Sequence, residues 1–162
     1  MDRAIIEQLE PAVDRLKAAV AGLSREDLLA FPVPGTWSIQ QIVIHVADSD
    51  LIIGDRIRRM IAEDRPLLMN ADENLWIKNL FPEEQLIDDA LALMKVHRRQ
   101  LARVLRKLPD AAFDRVGIHS SRGVVSVGWF VEALNTHLDH HVKFIDQKRK
   151  LLGKPILGKP RS

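Results

Sequence analysis

The sequence predicts an all-α protein, a four-helix bundle, and three observations carry that expectation. Four long segments repeat apolar residues every three or four positions, clusters of Pro and Gly fall between them, and nowhere does a two-residue alternation persist. A chain of 162 residues is most simply one domain, here 1–162. A domain of that size buries roughly 70% of the surface its unfolded form exposes, so it needs no staple.

The first segment covers residues 3 to about 22, with Ile5, Ile6, Leu9, Val13, Leu16 and Val20 on one stripe. Pro11 either kinks it or opens its main part, where a missing N–H does little harm. Ser24-Arg25-Glu26-Asp27 suits the cap of a short turn, and Phe31-Pro32-Val33-Pro34-Gly35 cannot continue a helix and is read as a connection.

The second helix starts after Ser38, its N-cap, with Gln41 as capping-box partner and Trp37 and Ile42 as a hydrophobic staple. Ile39, Ile42, Val43, Val46, Ile53, Ile57 and Ile61 carry its stripe to about residue 63, with His45 at the edge. Ile44, Leu51 and Ile52 lie off that stripe, a surplus of apolar surface that suits a homodimer contact.

Residues 65–81 hold Pro66, Asn70, Asp72 and Asn74 without a sustained period and are expected to form an ordered loop or short helix pinned by Trp76. Such loops often frame sites. Pro82 is expected to open the third helix, 83 to about 107, whose seam is Ile87, Ala90, Met94, His97, Leu101, Val104 and Leu108. Pro109, Gly117 and Gly123 then break the chain, Val124 and Val125 being too short a run to count as a strand. Ser126 starts the last helix, and Gly153 ends it with Pro155 just beyond.

The composition excludes several chemistries. Without cysteine there are no disulfides, thiolate ligands or cysteine nucleophile, so a metal site must use His, Asp or Glu. Lys plus Arg total 24 against 22 for Asp plus Glu, a balance that argues against a dedicated nucleic-acid or membrane-surface protein. The excess base gathers in Lys148, Arg149, Lys150, Lys154, Lys159 and Arg161 and is expected to be solvated, the tail fraying from about residue 153. The chain opens on charged Met1-Asp2-Arg3 and contains no apolar run of ~18 residues, so a soluble cytoplasmic protein is expected.

Three of the six histidines, His137, His140 and His141, crowd one stretch of the last helix. His137 and His141 stand one turn apart, Cβ atoms roughly 5–6 Å from each other. They share the apolar stripe of Val127, Phe130, Leu134, Leu138 and Ile145. A buried imidazole must be hydrogen-bonded or ligated, since an unsatisfied group costs about 1–3 kcal/mol. An i, i+4 pair is also how one helix grips a metal ion. His45 can join the pair across a bundle core, giving three imidazoles and an open position, the arrangement of catalytic rather than structural zinc-type sites. His97 is a fourth ligand, a neighbouring acid/base group or a satisfied core histidine, and His119 is read as a surface-loop residue. Asp48, one turn after His45, either orients a ligand imidazole or is solvated. Asp72 and Trp76 are candidates for the mouth of a substrate pocket, Trp76 alternatively packing its loop down.

These residues resemble a known family, the DinB/YfiT-like metal-dependent hydrolases. The matching pieces are Pro34-Gly35-Thr36-Trp37-Ser38 leading into His45-Val46-Ala47-Asp48-Ser49, then Asp72-Glu73 with Trp76, and His137-Leu138-Asp139-His140-His141, in order over about residues 37–145. The resemblance implies an up-down-down-up bundle, a homodimer, and a divalent metal ion held by His45, His137 and His141, with His140 a non-ligating neighbour. It further implies a metal-dependent hydrolase or, as in some relatives, an S-transferase that uses a low-molecular-weight thiol beside a small-molecule substrate. Zinc or nickel is expected, because imidazole suits both, and the ion would lower the pKa of bound water or thiol. No H-E-x-x-H spacing offers a ready base. The other reading is a non-catalytic, metal-stabilised, stress-related binding module.

Overall fold

The computed structural model describes residues 1–155. Lys159 and Arg161, expected in a frayed tail, lie outside the described residues. The elements in chain order are α1 (Ala4–Glu7), α2 (Leu9–Val20), α3 (Arg25–Leu29), α4 (Ile39–Ala62), β1 (Leu67–Leu68), α5 (Glu73–Asn79), a 3₁₀ turn (Pro82–Glu84), α6 (Ile87–Arg106), a second 3₁₀ turn (Asp110–Asp114), β2 (Val116–His119), β3 (Gly123–Ser126) and α7 (Val127–Leu151). The helices α2, α4, α6 and α7 form the bundle.

Local chemistry fixes most boundaries. Ser38 Oγ accepts from Gln41 N–H at 3.1 Å while Gln41 Oε1 accepts from Ser38 N–H at 2.9 Å, the capping box read at the head of α4. Ser126 Oγ accepts from Trp129 N–H at 3.2 Å to start α7. At its far end Gly153, with φ +70°, lets its own N–H reach Lys150 O and Lys154 N–H reach Arg149 O, a Schellman closure. The first segment is two helices that break at Gln8, and Pro11 is the third residue of α2, within the first turn whose N–H groups have no helical partner.

The third helix departs from expectation. Pro82 opens only the 3₁₀ turn, and α6 begins at Ile87. The buried Gln40 amide donates to Pro82 O at 2.8 Å and Gln85 O at 2.7 Å, taking carbonyls that a continuous helix would use. The seam also shifts: Val104 is 42% exposed, and Leu91, Arg98, Ala102 and Leu105 face inward with Ala90, Met94, His97 and Leu101.

A small sheet corrects the expectation of no strand. Its order is β1-β2-β3, with β1 parallel to β2 (Leu68 opposite His119) and β2 antiparallel to β3 (Val116 opposite Ser126). Segments of two to four residues carry no legible period, and the bundle stabilises them by burying Leu68 and Val125. A Cβ on Gly117 would lie 2.7 Å from Leu68 Cδ1, so glycine is what seats β2 against that core.

Side-chain pairs fix the helix directions. Glu10 meets Arg99 and Asp14 meets Lys95, so α2 and α6 are antiparallel. Arg15 meets Asp139 and Arg149 reaches Ala19 O, so α2 and α7 are parallel. Gln40 reaches Gln85 O and Asp50 meets Arg98, so α4 runs with α6, while His45 facing His137 and Arg56 facing Phe130 set α4 against α7. The order is up-down-down-up.

Two apolar clusters fill the bundle. One contains Leu9, Ile53, Leu101 and Leu134, the other Ala12, Ala47, Met94 and Leu138. Between them runs a buried polar layer made by Asp50 of α4, Arg98 of α6 and Asn135 of α7. Arg98 there donates to Asp50 Oδ1 (2.7 Å), Asn135 Oδ1 (2.9 Å), Leu9 O (3.2 Å) and Leu134 O (2.7 Å), tying α6 to the other three helices.

Two further expectations are corrected. Lys148 and Arg149 are buried: Lys148 donates to Thr36 Oγ1 at 2.6 Å and Arg149 to the carbonyls of Ala19 and Ala21, at the end of α2. Lys154, itself exposed, pairs with Asp27 at 2.5 Å. Ile44 is 1% exposed and belongs to the core rather than to free apolar surface. Among the described residues no helix is long and apolar enough to cross a membrane.

Candidate metal centre

His45 sits in the second turn of α4, and His137 and His141 one turn apart on α7. Because the two helices are antiparallel neighbours, the three rings meet. His45 Nε2 and His141 Nε2 each lie 3.2 Å from His137 Nε2, and one ligand nitrogen from each residue falls within 4.8 Å of the others. A single imidazole nitrogen has one lone pair or one proton and cannot satisfy two such neighbours at once. A shared cation satisfies all three: N–metal bonds of ~2.0–2.1 Å place cis nitrogens roughly 3.0–3.4 Å apart. The donor set therefore fits a divalent ion.

The electrostatics favour the required neutral imidazoles. Burial, reinforced by His137, lowers the pKa of His45 to about 4. Burial and then the neighbouring histidines lower that of His141 to about 3, and burial is also the main cause of the lowered value at His137. His141 Nδ1 is buried without a partner, so Nε2 is that ring's one polar engagement. Trp37, the staple residue, holds the group from the side, its ring centroid 4.7 Å from His45 and 6.5 Å from His141, stacked on the latter. His140 is exposed, its ring 4.6 Å from Phe144, and stands outside the cluster.

Two cavities meet at the histidines, sharing His45, His137 and Glu73. The first, about 200 Å³, is bounded by Asp48, Arg56, Trp76, His119, Arg122 and Phe130 among others. The second, about 560 Å³, includes Val33, Trp37, His141, Phe144 and Lys148.

Of the residues singled out from sequence, Trp76 lines the first cavity and Asp72 lines neither. Asp72 Oδ1 accepts from Asn74 N–H at 3.0 Å and Leu75 N–H at 3.1 Å, because the start of α5 needs a cap. Asp48 lines the first cavity but bonds no histidine, and burial raises its carboxyl pKa. His97 is a satisfied core histidine: Arg58 donates to its Nε2 at 2.8 Å, leaving the proton on Nδ1 for Asp50 Oδ2 at 3.0 Å. His119 overturns its surface-loop reading, being 3% exposed on β2, where the strand's alternation turns it inward. Sequence reasoning quoted Glu73 in the family match without giving it a role, and it missed Arg56 and Arg122. Arg56 was findable, since 11 residues after His45 is three helical turns on the same face. Arg122 was not, because only the hairpin brings it to the site.

Comparison with known proteins agrees with this fold. The chain is 30% identical over 141 residues to a protein of Geobacillus thermodenitrificans, covering 86% of this chain and 79% of the relative. It is 25% identical over 149 residues to YfiT of Bacillus subtilis, covering 91% and 84% of the two chains. Both relatives bear the name "putative metal-dependent hydrolase". The solved structure of YfiT, described as having an unusual four-helix bundle topology, superposes with a TM-score of 0.87 at 24% identity, covering 93% of this chain and 86% of that one. The family model described as the DinB superfamily matches residues 8–145, and the chain belongs to that family.

Proposed function

We propose that this chain is a metal-dependent enzyme in which His45, His137 and His141 hold one divalent ion, zinc or nickel, and the adjoining cavities take the reactants. The observation that carries the reading is the convergence of three imidazole nitrogens where two cavities meet. A structural ion is normally closed in by four protein ligands. Among the described residues no fourth His, Asp or Glu joins the cluster, and the space beside it is open to a substrate. This disfavours a purely stabilising ion.

A bound divalent ion supplies Lewis acidity, the usual basis of hydrolysis near neutral pH. The chain's own residues do the rest. Trp37 fixes the imidazole rings, and Glu73, exposed on the wall of both cavities, is placed to take or return a proton. Hydrolysis is the activity carried by the relatives' names. The presence of two cavities supports a second reading, transfer of a low-molecular-weight thiol, which must come from outside because the chain has no cysteine.

The test is metal analysis of untagged protein, followed by turnover of esters, amides and electrophile-plus-thiol pairs with and without chelator. Product that disappears with chelator is expected. Stoichiometric metal without turnover of any pair would sink the enzymatic reading.

A further inference from the structure

We propose that Arg56, His119 and Arg122 form an anion subsite in the first cavity, which holds a carboxylate or phosphoryl group of the substrate while the histidine centre acts elsewhere on the same molecule. As a substrate subsite it rests on the enzymatic reading above; as an anion site it stands on its own residues.

Each of the three presents an unused donor. Arg56 projects from α4 three turns beyond His45. Its Nη2 donates to Met69 O at 2.5 Å and its guanidinium lies 5.7 Å from the centre of the Phe130 ring, yet its Nε is buried with no partner. The adjacent Asp55 carboxylate is bonded to Arg59 at 2.9 Å. Arg122 lies 5.5 Å from the centre of the Trp129 ring and forms no ion pair among the described residues. His119 Nδ1 accepts from Ser121 N–H at 3.3 Å, so the neutral ring carries its proton on Nε2, a donor with no protein acceptor among the described residues.

These groups are also mutually unfavourable. Burial first, and then the charge of Arg122, push the Arg56 guanidinium below its ordinary value against a smaller opposing pull from Asp55, and burial followed by Arg56 and Arg122 lowers His119 likewise. Asp48 and Glu73 line the same cavity but pair with neither arginine. A site that gathers like charges without a carboxylate partner is complemented by a ligand that brings one. A guanidinium fork matches carboxylate or phosphoryl oxygens in shape as well as charge. The aromatic walls, Trp76, Trp129 and Phe130, and a volume of about 200 Å³ suit a small anion with an apolar or planar body.

The experiment titrates metal-free and metal-loaded protein with inorganic phosphate and, separately, succinate at constant ionic strength. Binding is followed by calorimetry and by the ring N–H signal of His119. Saturable binding is expected in both forms, with movement of the His119 signal and at least about tenfold weaker affinity in Arg56→Gln and in Arg122→Gln, the loss of a charged hydrogen bond. Arg122 is exposed, so its variant remains informative should Arg56→Gln fail to fold. His141→Ala should lose metal and still bind phosphate. No saturation with either anion, binding only in the metal-loaded form, or unchanged affinity in Arg122→Gln would overturn the subsite. Phosphate binding by protein that takes up no metal would instead leave the subsite standing and refute the catalytic centre.

Discussion

His45 Nε2 faces His137 Nε2 at 3.2 Å across the interface of α4 and α7, two polar ring nitrogens set among the Val43, Val46 and Leu138 side chains that pack the helices together. Replacing His45, His137 or His141 by Ala should weaken metal affinity by more than about 100-fold, beyond what loss of an outer partner does. His140→Ala should leave it unchanged, since that ring packs on Phe144. Metal content of the four purified variants checks this; full occupancy in His45→Ala would show that the ligands are others.

The histidine cluster should make the metal-free protein acid-sensitive. The unfolded imidazoles titrate at about 6.5, whereas His45 in the fold titrates at about 4. Between these values the unfolded chain binds more protons, so stability is complete above the unfolded pKa and falls as pH drops towards the folded one. The loss is on the order of a few kcal/mol. Urea midpoints of metal-free protein at pH 7.5 and pH 5 should differ, and differ less in His45→Leu. Equal slopes in the two proteins would contradict the burial cause.

Asp50 and Arg98 meet at 2.6 Å with both side chains 1% exposed. Asp50→Ala leaves the guanidinium buried without its counter-charge and should cost ~3–5 kcal/mol. Adding Arg98→Met should recover part of that, a non-additivity expected of contacting residues. Denaturant unfolding of the two single variants and the double variant measures it, and strict additivity would refute the coupling.

Gly54 gives a test of opposite sign to the usual rule. Gly to Ala inside a helix commonly stabilises by about 1 kcal/mol. Here the new Cβ would stand 2.2 Å from His97 Cε1 and Nε2, forcing the ring off Asp50. Gly54→Ala should therefore destabilise by ~1–3 kcal/mol, and a raised melting temperature would show that His97 can move freely.

Glu73→Gln should lower turnover about 100-fold or more, as expected for loss of a proton-transfer group, with metal content unchanged. Asp72→Ala should cost about 1 kcal/mol of stability through the lost cap of α5 and spare turnover. If both variants behave alike in a metal-dependent assay, Glu73 acts only through the helix.

The sequence by itself determined the elements whose causes are local. The Ser38 and Gln41 capping box, the Ser126 cap, the Gly153 closure and the apolar stripes of the second and last helices depend on residues a turn apart and formed as read, whereas the seam of the third helix shifted. The histidine pair of α7 and its likeness to a family were legible for the same reason, since spacing along one helix fixes which side chains share a face. Only the tertiary structure decided the polar layer around Arg98, the short sheet that buries His119, the late start imposed on α6 by Gln40, and the fastening of Lys148 and Arg149. Their partners lie far off in the chain, on elements whose approach depends on which stripes pack together. A charged or polar residue reads as solvated until a distant carbonyl or carboxylate arrives to satisfy it, and that arrival is a property of packing rather than of period.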